Sequence, residues 1–266
     1  MLARLRQVLS GGRFGPAEVT DVKQLTPHMI RITLMSELIR AFSPDAAGGH
    51  FKLVVPDKHE SEAAFEALIS GGNFKSEMRT YTIRHVRPHL NEIDVDIVTH
   101  GDLGRVGPWA QRTQPGDGIV ISHCGSPKLI TKGMTRILAA SDMTGFPALA
   151  AGLETLDPGV QVDAFVEILS EADRQPVQLA NGIAIDWIVK SDPYAPSADL
   201  IHAMRSAAPP DDRTSVFIAG EFATAGNLRP YFKNDIGVPK DRLYVSSYWK
   251  AGLDEPAHKV AKAAAA

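Results

Sequence analysis

Up to about residue 130 the apolar positions tend to alternate with polar ones, which is the period of short, half-buried strands. Residues 28–35 put Ile30, Ile32 and Leu34 on one face, residues 51–55 form a short apolar run, and residues 93–98 set Ile93, Val95 and Ile97 against Asp94 and Asp96. The turn Pro115-Gly116-Asp117 leads into a further strand at Ile119, Val120 and Ile121. Closely spaced strands with Gly and Pro turns predict a small β-barrel. After Gly133 the habit changes. Strands are expected at 137–140, 162–166, 183–189, 216–219 and 243–246, with helices at 147–156 and 197–207. Strands alternating with helices predict a parallel sheet covered on both faces, and such sheets bind ligands beyond the carboxyl ends of their strands. The expected fold class is therefore a β-barrel plus an α/β domain, with residues 1–131 in the first and 132–266, ending in a helix, in the second.

Length agrees with two domains, since 266 residues is nearly twice a typical domain of about 150. Composition narrows the chemistry. A formal charge of −3 gives no general attraction to nucleic acid or to an anionic membrane. The single cysteine, Cys124, excludes an intramolecular disulfide, a C-x-x-C redox pair and an all-cysteine metal site. Electrons, if this chain handles them, need an added cofactor. No stretch approaches 18 uncharged apolar residues and the N-terminus lacks a signal-peptide core, so a cytoplasmic, membrane-free protein is expected.

Five segments carry candidate chemistry. In R-T-Y-T at 79–82, expected to continue as a strand through Ile83 and Arg84, Tyr81 offers a ring, Thr82 a hydroxyl and Arg79 a fork for phosphate; plain β-propensity explains the same residues. In V-T-H-G-D-L-G-R-V-G-P-W-A at 98–110, His100 and glycines that include Gly104 precede a short helix expected near Pro108, an arrangement suited to a pyrophosphate or simply a helix start. In S-D-M-T-G-F-P-A-L at 141–149, Asp142 and Thr144 stand at the end of the first parallel strand, where Thr144 either caps the helix or touches a nicotinamide. No G-x-G-x-x-G occurs. Finally, Gly220 and Glu221 end a late strand, and Tyr248, Trp249 and Lys250 close the domain; the aromatic pair is read equally as core.

Taken in order with G-G-H-F-K-L at 48–53, these blocks resemble the siderophore-interacting protein family, FAD-dependent ferric-siderophore reductases related to ferredoxin reductases. The resemblance implies that Arg79, Tyr81 and Thr82 hold the flavin, that His100, Gly104 and Trp109 hold its pyrophosphate and adenosine, and that Asp142, Thr144, Gly220, Glu221 and Trp249 serve the cofactor sites. It also implies a docking surface for an anionic ferric siderophore, for which Lys52, Lys250 and Lys259 are candidates beside Lys262. Electrons would come from NADPH or NADH, or from a ferredoxin, to a monomer. Two departures stand out: Gly107-Pro108 replaces a serine before the W-A pair, and Met143 replaces an acid in a D-E-T-A-L-P block. Ser170, Glu171 and Arg174 point to both nicotinamide nucleotides. A reductase of free flavin, and a carrier that binds the chelate without reducing it, remain the rival readings.

Overall fold

The computed structural model describes residues 4–5, 7, 9, 12–99, 104–129, 132–177, 184–253 and 255–264. The chain divides into two units, Met1–Pro127 and Lys128–Ala266.

The first unit is a seven-stranded antiparallel sheet made of β1 (Phe14–Thr26), β2 (Met29–Met35), β3 (His50–Val54), β4 (Arg79–Thr82), β5 (His85–Arg87), β6 (Glu92–Val98) and β7 (Gly118–Ser122). Their order is β4-β3-β7-β1-β2-β6-β5. The two end strands of that order, β4 and β5, are separated in sequence only by Ile83 and Arg84. Three peptide links span at most about 11 Å, so the sheet must curl until its ends meet. The join is visible in the backbone: Ile83 N–H donates to Gly49 O at 2.8 Å on the β3 side, and Arg84 N–H donates to Asp94 O at 2.8 Å on the β6 side. The strand expected through Arg84 ends at Thr82 for this reason. Irregularities in β1, between Val19 and Asp21 and between Gln24 and Thr26, add the local twist that curling needs.

Ile30, Ile32 and Leu34 face the core with Ile93, Val95 and Ile97, as their alternation predicts. The acidic side of β6 is also covered. Asp94 and Asp96 are 6% and 5% exposed because cations from neighbouring strands lie over them. Arg31 holds Asp96 through two bonds of 2.7 and 2.8 Å, and Arg87 holds Asp94 through two of 2.8 and 2.6 Å. His85 Nδ1 and Thr33 Oγ1 reach the Asp94 carboxylate as well, each at 2.9 Å. A helix unanticipated in the β-rich half, α1 (Glu62–Ser70), is capped by Ser61, and Phe65 and Ile69 four apart bury one face. The next helix, α2 (Val106–Arg112), starts two residues before the expected Pro108, whose missing N–H then falls among first-turn donors that need no intrahelical partner.

The second unit is a parallel sheet of β8 (Arg136–Ser141), β9 (Gln161–Ile168), β10 (Ile185–Val189), β11 (Thr214–Glu221) and β12 (Leu243–Trp249), in the order β10-β9-β8-β11-β12. Its helices are α3 (Phe146–Leu153), α4 (Ala198–Ser206), α5 (Phe222–Pro230) and α6 (Glu255–Ala264). Between β9 and β10 the expected alternation fails, since the described residues there form only a 3-10 turn at Glu171–Asp173; residue 183, expected in β10, lies outside the described residues. The chain runs outward from β8 to β10, returns, and continues from β11 to β12 on the other side. This reversal makes the ends of β8 and β11 a topological switch point. Helix α6 is fastened to β12 by His258, whose Nε2 lies 2.9 Å from Ser247 Oγ, and by Lys262, which donates to Ser246 Oγ and Ser247 O at 2.7 Å each. Among the described residues no helix is long and apolar enough to cross a membrane.

Burial by itself would raise the Asp94 carboxyl, but the bonds from Arg87, His85 and Thr33 outweigh it and hold the group well below the usual carboxylate range. A depressed carboxyl adds stability that is present above its unfolded value of about 4 and is lost as the pH falls through its folded value. Asp94→Ala is expected to lower stability at pH 7 by about 3 kcal/mol, because it leaves Arg87 without its main partner. The gap to the parent should narrow below about pH 4. Urea titrations across pH check both; equal midpoints at pH 7 would remove this cluster from the stability of the unit.

Candidate functional site

The ends of β8, β9 and β11 enclose a crevice lined by Ser141, Asp142, Glu167, Gly220, Glu221 and Thr224. Asp142 organises it. Its Oδ1 accepts from Thr144 N at 2.8 Å, Thr144 Oγ1 at 2.6 Å and Gly145 N at 3.1 Å, so the turn into α3 is closed by Asp142, and Thr144 donates where it was expected to cap. The other oxygen, Oδ2, accepts from Trp249 Nε1 at 2.7 Å. Between them lies Gly220. A Cβ built there would sit 2.7 Å from Asp142 Oδ2, at a φ of +155°. Glu221 is engaged in the fold: its carboxylate caps α5 through Ala223 N and Thr224 N and accepts from Ala251 N at 3.3 Å. Beneath the crevice, Glu167 accepts from Ser197 Oγ at 2.8 Å and pairs with Lys190 at 3.1 Å. Burial pushes its carboxyl up, against the pull of Lys190.

Sequence reasoning missed Ser141. Its hydroxyl is 1% exposed at residue level and has no hydrogen-bond partner, although buried hydroxyls are ordinarily bonded. Ser215 Oγ, on β11, is buried and unpartnered too, but only Ser141 lies at the strand ends around Asp142.

In the barrel unit, Arg79 and Tyr81 fall on one face of β4, and Thr80 and Thr82 on the other. Tyr81 packs against the core opposite Phe51. Arg79 Nη1 donates to Ser76 O at 2.7 Å and Met78 O at 3.1 Å, which keeps the guanidinium at the start of the strand. Thr82 is buried. Gly104 has φ +75° with open space where a side chain would stand, a backbone that favours glycine. His100 lies outside the described residues. Trp109, expected against adenosine, is 2% exposed within the barrel core, so its packing is accounted for without a ligand.

Comparison with known proteins agrees with this geometry. Residues 18–128 match the siderophore-interacting FAD-binding domain, and residues 134–252 match the siderophore-interacting protein family. Ferric vibriobactin reductase ViuB of Vibrio cholerae is 27% identical over 244 residues, 89% of each chain. The NADPH-dependent ferric-chelate reductase of Escherichia coli is 27% identical over 251 residues, 90% of this chain and 94% of that one. The crystal structure of the siderophore-interacting protein SipS from Aeromonas hydrophila superposes with a TM-score of 0.81 at 26% identity, covering 95% and 97% of the two chains. The chain belongs to the siderophore-interacting protein family. Its fold is ferredoxin-reductase-like.

Met143, at the position where the family pattern implied an acid, is buried, 4% exposed. Gly145 follows from close packing: a Cβ there would strike Ala219 O. The candidate lysines differ in what surrounds them. Lys52 donates to Thr80 Oγ1 across from it on β4, and Lys250 Nζ lies 4.3 Å from the centre of the Phe222 ring. Lys259 is paired with Glu255 of its own helix at 2.7 Å, so its charge is largely answered there. Glu171 and Arg174 likewise pair with each other at 2.6 Å.

Gly220→Ala tests the crowding at the crevice. The added methyl must displace the Asp142 carboxylate or the backbone, and overpacking of this kind costs about 1 to 3 kcal/mol. Thermal melting should show a lower midpoint. A midpoint equal to that of the parent would mean that the strand ends are looser than described.

Proposed function

We propose that this chain is an NAD(P)H-dependent ferric-siderophore reductase, with FAD on the barrel unit and the nicotinamide nucleotide at the carboxyl ends of β8 and β11. The observation that carries the nucleotide assignment is the buried, unpartnered Ser141 hydroxyl beside Gly220 at the switch point. The reductase assignment is supported by the relatives named ferric vibriobactin reductase and NADPH-dependent ferric-chelate reductase. We place its action in the cytoplasm, as a monomer.

FAD, when bound, supplies the conversion of a two-electron hydride into single electrons. The residues present fit that group: Tyr81 offers a ring wall, Arg79 a fork for a phosphate, Thr82 a hydroxyl at the strand end, and Gly104 a backbone able to approach closely. At the strand ends, Ser141 Oγ is the unmet hydroxyl that would bond the amide of a nicotinamide. Lys52 and Lys250 attract the anionic ferric chelate, which is the substrate. Hard oxygen donors hold Fe(II) less tightly than Fe(III) because the metal charge is lower, so reduction releases the iron.

Two measurements test this. Arg79→Ala should purify largely without flavin, because losing a charge-assisted contact costs about 1.5 to 3 kcal/mol; a full yellow flavin spectrum would remove Arg79 from the site. Lys52→Ala with Lys250→Ala should raise KM for an anionic ferric siderophore, read with an Fe(II) trap, while hydride uptake from NADPH stays unchanged. The rise should fade at higher salt, where charges are screened over about 8 Å at 0.15 M. Equal KM values at low salt would favour a reductase of free flavin.

A further inference from the structure

We infer that Asp142 is a positioning residue, which acts on the nicotinamide nucleotide through Trp249. This rests on the reading given under Proposed function.

Most of the carboxylate is already engaged. Oδ1 takes three donors from the turn into α3, and one of the two lone pairs of Oδ2 takes the Trp249 indole N–H at 2.7 Å. Trp249 is the last residue of β12, and β11 lies between β12 and β8 in the sheet. To reach Asp142 at the end of β8, the indole must therefore cross the end of β11. It crosses at Gly220, the residue whose missing Cβ leaves the gap beside Oδ2. A bulge between Gly220 and Glu221 shifts the register so that Glu221 pairs with Trp249, which brings the Trp249 backbone level with the strand end.

The far side of the ring is held too. Tyr194 lies edge-on to the Trp249 indole, 6.3 Å between centroids at 76°, within the favoured range for aromatic pairs. Its loop is fixed by Tyr194 N donating to Asp192 Oδ1 at 2.9 Å, and by Lys190, which reaches Ala195 O at 3.3 Å, Ser197 Oγ at 2.9 Å and the buried Glu167 at 3.1 Å. Trp249 is thus held in a fixed orientation, by Asp142 at its N–H and by Tyr194 at its ring. A nicotinamide that meets this indole finds a flat surface already in place, so the ordering cost of binding is met in advance.

Asp142→Asn separates this role from that of the turn. An asparagine Oδ1 still accepts from Thr144 and Gly145, whereas its Nδ2 presents a donor to the indole donor. The chain has three tryptophans, so a 1H–15N spectrum holds three indole N–H signals, and Trp249→Phe assigns one of them. In Asp142→Asn we expect that signal alone to move upfield and exchange faster with solvent. We also expect KM for NADPH to rise about tenfold with kcat changed less than twofold, the loss of one charge-assisted bond. The double variant should be no worse than Trp249→Phe alone, since both remove one contact.

An unmoved Trp249 signal in Asp142→Asn overturns the proposal. So does a moved signal with an unchanged KM, or additive effects in the double variant. If the parent protein fails to oxidise NADPH at all, the reductase reading falls, while the indole signal still decides whether Asp142 holds Trp249.

Discussion

A parallel sheet ends its strands on exposed backbone, and something must order the groups that converge there before a ligand can. In this protein the Asp142 carboxylate does it, by accepting from Thr144, Gly145 and Trp249. Those donors belong to the turn after β8 and to β12, two strands away. Charge makes the arrangement robust, since hydrogen bonds to an ionised acceptor are roughly twice as strong as neutral ones. It also imposes the glycine at 220, because no side chain fits between the carboxylate and the end of β11. Ser141 is left beside this hub with its hydroxyl buried and unmet.

The barrel unit solves a different problem with similar means. Its sheet must close on two linking residues, Ile83 and Arg84, which draws β4 and β5 together. Closure buries the acidic side of β6, and a buried carboxylate without a partner is costly. Arg31 and Arg87 supply paired bonds, with His85 and Thr33 completing the set around Asp94. The same curl fixes β4, the strand that carries Arg79 and Tyr81. That strand, at the seam of the barrel, is held on one side by the β3 ladder.

Much of this was legible in the sequence. Apolar alternation placed β2 and β6, the turn at Pro115-Gly116-Asp117 placed β7, the switch of period near Gly133 separated antiparallel from parallel structure, and short motifs in a fixed order pointed to the family. These signals are local, or are sums of local signals, so they need no knowledge of neighbours. The candidate site was legible only as a set of names. Asp142, Gly220 and Trp249 each lie in a recognisable block, yet nothing in their spacing says that one carboxylate receives the indole across the gap left by the glycine.

What only the tertiary structure decided depends on contacts between distant positions. Asp94 and Asp96 read as one side of an alternating strand, and it took Arg31 and Arg87 from adjoining strands to bury them. Trp109 lies in the loop that the resemblance assigns to pyrophosphate and adenosine, and its indole is buried in the barrel core. Thr144 reads as a helix cap or a nicotinamide contact, and its N–H and hydroxyl both donate to Asp142, whose other oxygen is tied to Trp249, 107 residues on. Ser141 gave no signal, since an unmet hydroxyl is a property of its surroundings. The sequence by itself determined which segments form strands and helices, because periodicity and turn chemistry act within a few residues. The side chains left to meet a ligand were decided by which strand ends the fold brings side by side.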